Sequence, residues 1–189
     1  MVPAGRAHGV LGVAVLLPGT GYTVQGPLLA WAGQVLADLG WTVEPVAWTV
    51  DEAAERDPEG FAASAVEAAF ARAEAALPEG TPGARLVVAK SFGCSALPWA
   101  LERDVPGAWL TPVTTYPPVR AALARADDAH WAVGGGVDPL WRPDGLRTAG
   151  AGLTTVPAAD HGLRVPGDWR AGVEAHRRVL ERLESWAAR

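Results

Sequence analysis

R-L-V-V-A-K-S-F-G-C-S-A-L-P-W, residues 85–99, is the stretch on which the reading of the chain turns. Leu86, Val87, Val88 and Ala89 form a short apolar run of the kind that makes a strand buried on both faces. Residues 92–101 then read as a helix packed back on that strand. Ser91 sits at the junction, with Ala89 two residues before it and Gly93 two after. That is small-x-Ser-x-small, the pattern of a nucleophile elbow, in which the positions two away from the serine have almost no room for a side chain. Holding the serine in such a turn costs roughly 1–3 kcal/mol, which the neighbouring packing must offset. In return Oγ is pushed clear of the sheet, and the helix N-terminus faces the place where negative charge would develop. An ordinary βα turn that happens to contain a serine fits the same five residues, since the first glycine of the usual G-x-S-x-G is Ala89 here.

Outward from this stretch, strand and helix alternate. Residues 10–17 read as a buried strand and 26–39 as a helix with Leu28, Leu29, Ala32, Val35, Leu36 and Leu39 on one stripe, stopped by Gly40 as a C′ glycine. Residues 42–48 read as a second strand, and Pro45 within it removes a ladder donor, which assigns it to a sheet edge. An acidic, proline-containing loop (51–59) leads to an alanine-rich helix over 61–77. After the central strand and helix come a fourth strand (108–111), a helix (119–126), a fifth strand (130–133) and a sixth (153–156) ended by Pro157. Asp168 caps a last helix that buries Val173, His176, Val179, Leu180, Leu183 and Trp186. Buried strands separated by helices predict a single α/β domain over 1–189. Its architecture is a three-layer αβα sandwich around a six-stranded parallel sheet. Right-handed crossovers with the second strand at the edge give the order 2-1-3-4-5-6. Ligands of such sheets bind beyond the carboxyl ends of the strands where the order reverses, here where residues 18–21 meet Ser91.

Composition narrows the classes. A formal net charge of −5 over 189 residues gives no basic footprint for nucleic acid or an anionic membrane. The single cysteine, Cys94, permits no internal disulfide, so the chain needs no oxidising compartment. Arg6 before the apolar run 10–17 imitates an export signal, but the run is short and ends in Pro18-Gly19-Thr20-Gly21 without a small-x-small cleavage site. No later run approaches the ~18 apolar residues of a membrane span, and the expected location is cytoplasmic.

The loop Pro18-Gly19-Thr20-Gly21-Tyr22 has two readings. As a dinucleotide loop it fails on spacing, because the third glycine would stand at Val24 and no acidic residue ends the second strand, where Glu44 is internal. As an oxyanion loop, its Thr20 N–H would pair with that of Phe92 to stabilise a tetrahedral oxyanion. A tight turn that needs glycine accounts for the loop equally well. The later strands bear on the choice, because a serine needs a base and the base an orienting carboxylate. Beyond the fifth strand, Gly134-Gly135-Gly136-Val137-Asp138-Pro139-Leu140-Trp141 carries an aspartate. Beyond the sixth, Ala158-Ala159-Asp160-His161-Gly162-Leu163 carries a histidine. Ser91, Asp138 and His161 thus stand at strand ends that open on one crevice, in the order nucleophile, acid, base. Asp160 would have to fold back on its neighbour to orient His161, so Asp138 is preferred.

Through A-K-S-F-G, the glycine-rich loop after the first strand, G-G-G-V-D-P-L-W and A-D-H-G-L, the chain resembles the α/β-hydrolase superfamily over nearly its whole length. It is similar to small, capless bacterial members of the dienelactone-hydrolase-like kind. The resemblance implies a serine hydrolase that forms an acyl-enzyme on a small-molecule acyl substrate, ester or thioester, with no cofactor. The sequence departs from the pattern at Pro18, where the oxyanion loop often has histidine, and at Ala89. A fold retained as a catalytically silent binding or scaffold module is the competing class; labelling of Ser91 by a fluorophosphonate separates the two.

The other reactive residues have plainer readings. His8 lies near the N-terminus, His130 begins a strand and His176 is a core histidine of the last helix. No histidine pair has metal-ligand spacing, and one cysteine cannot build a zinc cage. Cys94 is a small packing residue. Lys90 should point away from Ser91 Oγ, towards a buried carboxylate or the surface. Residues 112–129 are too few for a folded lid, which leaves an open site with Tyr22, Thr114, Tyr116, Trp141 and Trp169 as expected walls. The acidic loop 51–59 either selects cationic substrates or is merely solvated. Oligomeric state is not legible.

Overall fold

The structure, a computed structural model, describes residues 10–189; Arg6 and His8 lie outside the described residues. Strand β1 (Gly12–Leu17) is buried at every position, and α1 (Pro27–Asp38) follows, ended as expected by Gly40 at φ 97°. Among the described residues β2 (Trp41–Pro45) pairs only with β1 and forms one edge of the sheet, so Pro45 sits where a missing donor is tolerated. The acidic stretch is not a loop. Asp51 accepts the N–H groups of Ala53 and Ala54 to cap a short helix α2 (Glu52–Arg56), and Asp57 accepts that of Gly60 to cap α3 (Pro58–Ala75). These carboxylates are helix caps first, which removes the reason to read them as a substrate selector.

β3 (Ala84–Lys90) pairs with β1 on one side and with β4 (Gly107–Leu110) on the other. Between them the expected helix is replaced by a 3-10 turn over Ser91–Ala96 and a short α4 (Leu97–Glu102). Pro98 has no N–H to give to the carbonyl four residues back, so a regular helix can begin only at the turn that contains it. α5 (Pro117–Arg125), β5 (His130–Gly135), β6 (Gly152–Val156) and α6 (Trp169–Ala187) complete the chain. The six strands are all parallel in the order β2-β1-β3-β4-β5-β6.

Period-two alternation divides the core. Val13, Val15, Leu17, Val87 and Ala89 face a layer with Phe70, Leu97, Trp99, Trp109 and Leu123. Ala14, Leu16, Leu86 and Val88 face the opposite layer with Leu28, Leu29, Leu36, Val179 and Leu183. Burying strands on both faces requires continuous apolar runs, which is why β1 and β3 were legible as such. Of the residues expected on the buried side of α6, Val173 is instead 61% exposed. No helix of the described residues is long and apolar enough to cross a membrane.

Candidate active site

Backbone strain collects at the carboxyl ends of the strands. Ser91 has φ 53°, Thr111 φ 47° and Ala158 φ 55°, following β3, β4 and β6 respectively. A left-handed backbone is uncommon for serine and an outlier for β-branched threonine. At Ser91 it turns the chain sharply out of β3 into the 3-10 turn, as the small-x-Ser-x-small pattern requires.

His161 joins Ser91 to Asp138. Its Nε2 lies 2.7 Å from Ser91 Oγ and its Nδ1 2.7 Å from Asp138 Oδ2. A carboxylate only accepts, so Nδ1 carries the ring proton and Nε2 faces the serine hydroxyl as an acceptor. Asp138 is wholly buried and also accepts the Leu140 N–H at 2.9 Å, which fixes its second oxygen. Asp160 is occupied elsewhere. It accepts the N–H groups of Gly162 and Arg164 and pairs with the Arg164 guanidinium at 2.9 Å. Burial works to raise its carboxyl, but these Arg164 and Gly162 contacts outweigh it and hold Asp160 below the usual range.

The glycine run explains how the two loops reach each other. A Cβ on Gly135 would run into the carbonyl oxygens of Ala159 and Asp160, and one on Gly134 would run into the Trp141 indole. Without side chains there, the Gly136 N–H donates to Val156 O at 2.8 Å and the Val137 N–H to Ala159 O at 3.0 Å. The loop with Asp138 is thereby laced to the loop with His161.

On the other side of Ser91 the loop 18–22 closes through Gly19 N–H to Tyr22 O at 3.0 Å. It passes so close that a Cβ on Gly19 would lie 3.1 Å from Ser91 Cβ. Thr20 faces the cleft, and its N–H meets no backbone acceptor among the described residues.

Lys90 does not pair with a carboxylate and is not at the surface. It is 2% exposed; Nζ donates to Thr111 Oγ1 and to the His161 carbonyl, both at 3.2 Å, and stands 4.4 Å from the centroid of the Tyr22 ring. Burial pushes its ammonium below the ordinary lysine value. One buried cation thus ties together the loops after β1, β4 and β6. Tyr22 is fixed at its other end, where its hydroxyl accepts the Leu28 N–H at 2.9 Å.

A cleft of about 1170 Å³ opens from Ser91 between the loop 18–22, the loop 160–168 and the first turns of α6. Of the expected walls, Tyr22 and Trp169 line it. Tyr116, Trp141 and Thr114 do not. Tyr116 donates its hydroxyl to Glu59 at 2.9 Å and packs on the core layer of α3 and α5. Trp141 is 2% exposed in that same layer, with Nε1 donating to Thr155 Oγ1 at 2.9 Å. Thr114 is buried and staples the 138–142 loop by donating to Leu140 O and accepting the Arg142 N–H. Conversely, His176 is not simply a core residue. It lines the cleft and donates from Nε2 to the Gly162 carbonyl at 2.9 Å. The spacing Trp169, Val173, His176 (i, i+4, i+7) was the available signal for a cleft-facing stripe.

Cys94 is wholly buried behind the turn, its thiol donating to Ala89 O at 3.4 Å, and burial pushes the thiol far up. His130 is buried and accepts the Trp109 indole N–H at 3.3 Å. Among the described residues no group of three or more His, Cys, Asp or Glu side chains is placed to hold a metal ion.

No family model and no curated protein matches the chain. Solved structures do. Dienelactone hydrolase from Anabaena variabilis superposes with a TM-score of 0.67 at 21% identity, over 95% of this chain and 86% of that one. An alpha-beta serine hydrolase homologue from Coxiella burnetii gives 0.67 at 12% identity, over 94% and 88%. An a/b serine hydrolase without a lid from Xanthomonas campestris gives 0.52 at 14% identity, over 95% and 85%. With six parallel strands in the order 2-1-3-4-5-6 and helices on both faces, the chain has the α/β-hydrolase fold without a lid.

Proposed function

We propose that the chain is a serine hydrolase that cleaves esters or thioesters of small acyl groups through an acyl-enzyme. The observation that carries this reading is the pair of 2.7 Å contacts running from Asp138 through His161 to the strained Ser91 at the mouth of a cleft. His161 Nε2 takes the hydroxyl proton as Ser91 Oγ bonds to the substrate carbonyl carbon. The tetrahedral intermediate collapses with cleavage of the bond to the alcohol or thiol, which leaves with the proton from His161. Water, deprotonated by the same nitrogen, then attacks the acyl-serine; the acid departs and Oγ regains its proton. Asp138 holds the imidazole tautomer and stabilises the imidazolium between these steps.

The N–H groups of Thr20 and Phe92 are the proposed oxyanion donors. Thr20 follows the glycine packed against Ser91, and Phe92 is the next residue after the nucleophile. Preorganised donors of this kind account for about 10²–10³ each in rate. The test is a fluorophosphonate probe with mass-spectrometric mapping, beside turnover of p-nitrophenyl acetate and butyrate. Modification at Ser91, lost in Ser91→Ala, is the expected result. A folded protein that neither labels nor turns over these esters is instead a silent binding module.

A further inference from the structure

We infer that the part of the substrate lying beside the scissile bond is uncharged and apolar, an alkyl or aryl group laid against Tyr22, Val165, Pro166, Trp169 and Val173. The inference rests on the serine-hydrolase reading of Ser91.

The cleft wall carries two cations, Lys90 and Arg164, and two anions, Asp160 and Asp168. Each has a partner already. The Lys90 ammonium spends its donors on Thr111, the His161 carbonyl and the Tyr22 ring. Arg164 and Asp160 pair with one another, and Asp168 accepts the Ala171 N–H as the cap of α6. A charged substrate group entering here would give up hydration to meet Lys90 and Asp168 with their hydrogen bonds already spent on neutral groups, or Arg164 and Asp160 already paired with each other.

The apolar wall is in the opposite condition. Trp169 is 68% exposed and Val173 61%, one turn apart on the same face of α6. Arg170 covers one face of the indole with its guanidinium, 4.4 Å from the ring centroid, and the rest of the ring remains open. Both residues share the cleft with Ser91, so a chain attached to the reacting carbonyl, on its acyl or its alcohol side, reaches them without leaving the cleft. Burying such a group is worth up to about fourfold in affinity for each methylene.

The experiment measures kcat/KM over p-nitrophenyl acetate, butyrate, hexanoate and octanoate, and in a second arm over acetate esters of methanol to hexanol by acid release. The p-nitrophenyl monoester of adipic acid supplies a carboxylate at the end of a chain of hexanoate length. The expected result is a rise of two- to fourfold per methylene in one arm, which identifies the side of the ester that occupies the cleft. The adipate ester should fall at least 30-fold below the hexanoate. Trp169→Ala and Val173→Asp should each flatten the rise, whereas Trp31→Ala, which removes a tryptophan 60% exposed on α1, should leave it intact. Preference for the adipate ester overturns the inference in favour of selection by Lys90 and Arg164. Flat series in both arms overturn it too, and make Trp169 and Val173 a contact surface for a macromolecule. In both cases fluorophosphonate labelling of Ser91 persists. Absence of labelling takes down the hydrolase reading and this inference together.

Discussion

Asp138 and Asp160 both lie within reach of the His161 loop, and their surroundings separate them. Asp138 is wholly buried with one oxygen on His161 Nδ1 and the other on the Leu140 N–H, whereas Asp160 faces Arg164. Asp138→Asn should therefore preserve the fold and lower kcat by about 10⁴, because an amide favours the wrong imidazole tautomer. Asp160→Asn should cost less than about tenfold under the same assay, with folding checked by circular dichroism. Ser91→Ala and His161→Ala should each abolish nearly all turnover, and their double variant should be scarcely worse. Cys94 supplies a pH prediction. Its thiol is neutral in the folded chain well above its ordinary value of 9.0, because burial opposes the thiolate. Above about pH 9 the unfolded chain loses a proton that the folded one keeps, so this contribution to stability is intact below that pH and lost as pH rises. Lys90 acts with the opposite sign, since burial lowers its value below 10.5 and the unfolded chain then holds the extra proton. Cys94→Ala should remove a decline of up to about 1.4 kcal/mol per pH unit, seen as a urea midpoint that falls less steeply above about pH 9 than that of wild type.

Among the elements, the turn after β3 and the end of β5 are tighter than their sequences suggest. A Cβ on Gly93 would stand 2.7 Å from the Pro18 carbonyl oxygen and 2.8 Å from that of Leu17, backbone that cannot move aside. Gly134 reads as part of a roomy loop, where alanine should be mild. It instead lies inside β5 with the Trp141 indole against its Cα, so both glycines are needed. Gly93→Val should abolish soluble expression, and Gly134→Ala should lower stability by roughly 1–3 kcal/mol in urea denaturation. Adding Trp141→Leu, which clears the space over Gly134, should recover part of that second loss. Strands β1 and β3 were legible because a strand buried on both faces must be apolar throughout, and the β2 edge because of Pro45. The short helix α2 and the 3-10 turn were not. Acidic residues and proline in 51–59 resemble a loop until Asp51 and Asp57 are seen as caps, and nothing in the apolar pattern of 92–101 outweighs the missing donor of Pro98.

On the scale of the whole molecule, parallel strands bring every carboxyl end to one edge of the sheet, and Ser91, Asp138 and His161 could be assembled from strand order alone. The walls could not, because strand ends fix a height above the sheet and not a side of it. Tyr22 and Trp169 stand on the side of α1 and α6, where the cleft opens. Tyr116 and Trp141 also follow strand ends but belong to the layer of α3 and α5, and so they became core. Lys90 was missed for a related reason. As the last residue of a central strand its side chain had to take one side of the sheet, and it took the one on which the loops with Tyr22 and His161 meet.

Because Lys90 is the only lysine in the sequence, an endoprotease specific for lysine has a single peptide bond to cut, the one joining Lys90 to Ser91. That bond ends a strand held between β1 and β4, with its lysine 2% exposed, and a protease can engage it only after β3 has left the sheet. Digestion in native buffer thus becomes a clock for opening at Ser91 itself, yielding only fragments 1–90 and 91–189. The cutting rate should climb with urea in step with global unfolding. A rate indifferent to low urea would instead mean that the turn at Ser91 breathes while the sheet around it stays closed.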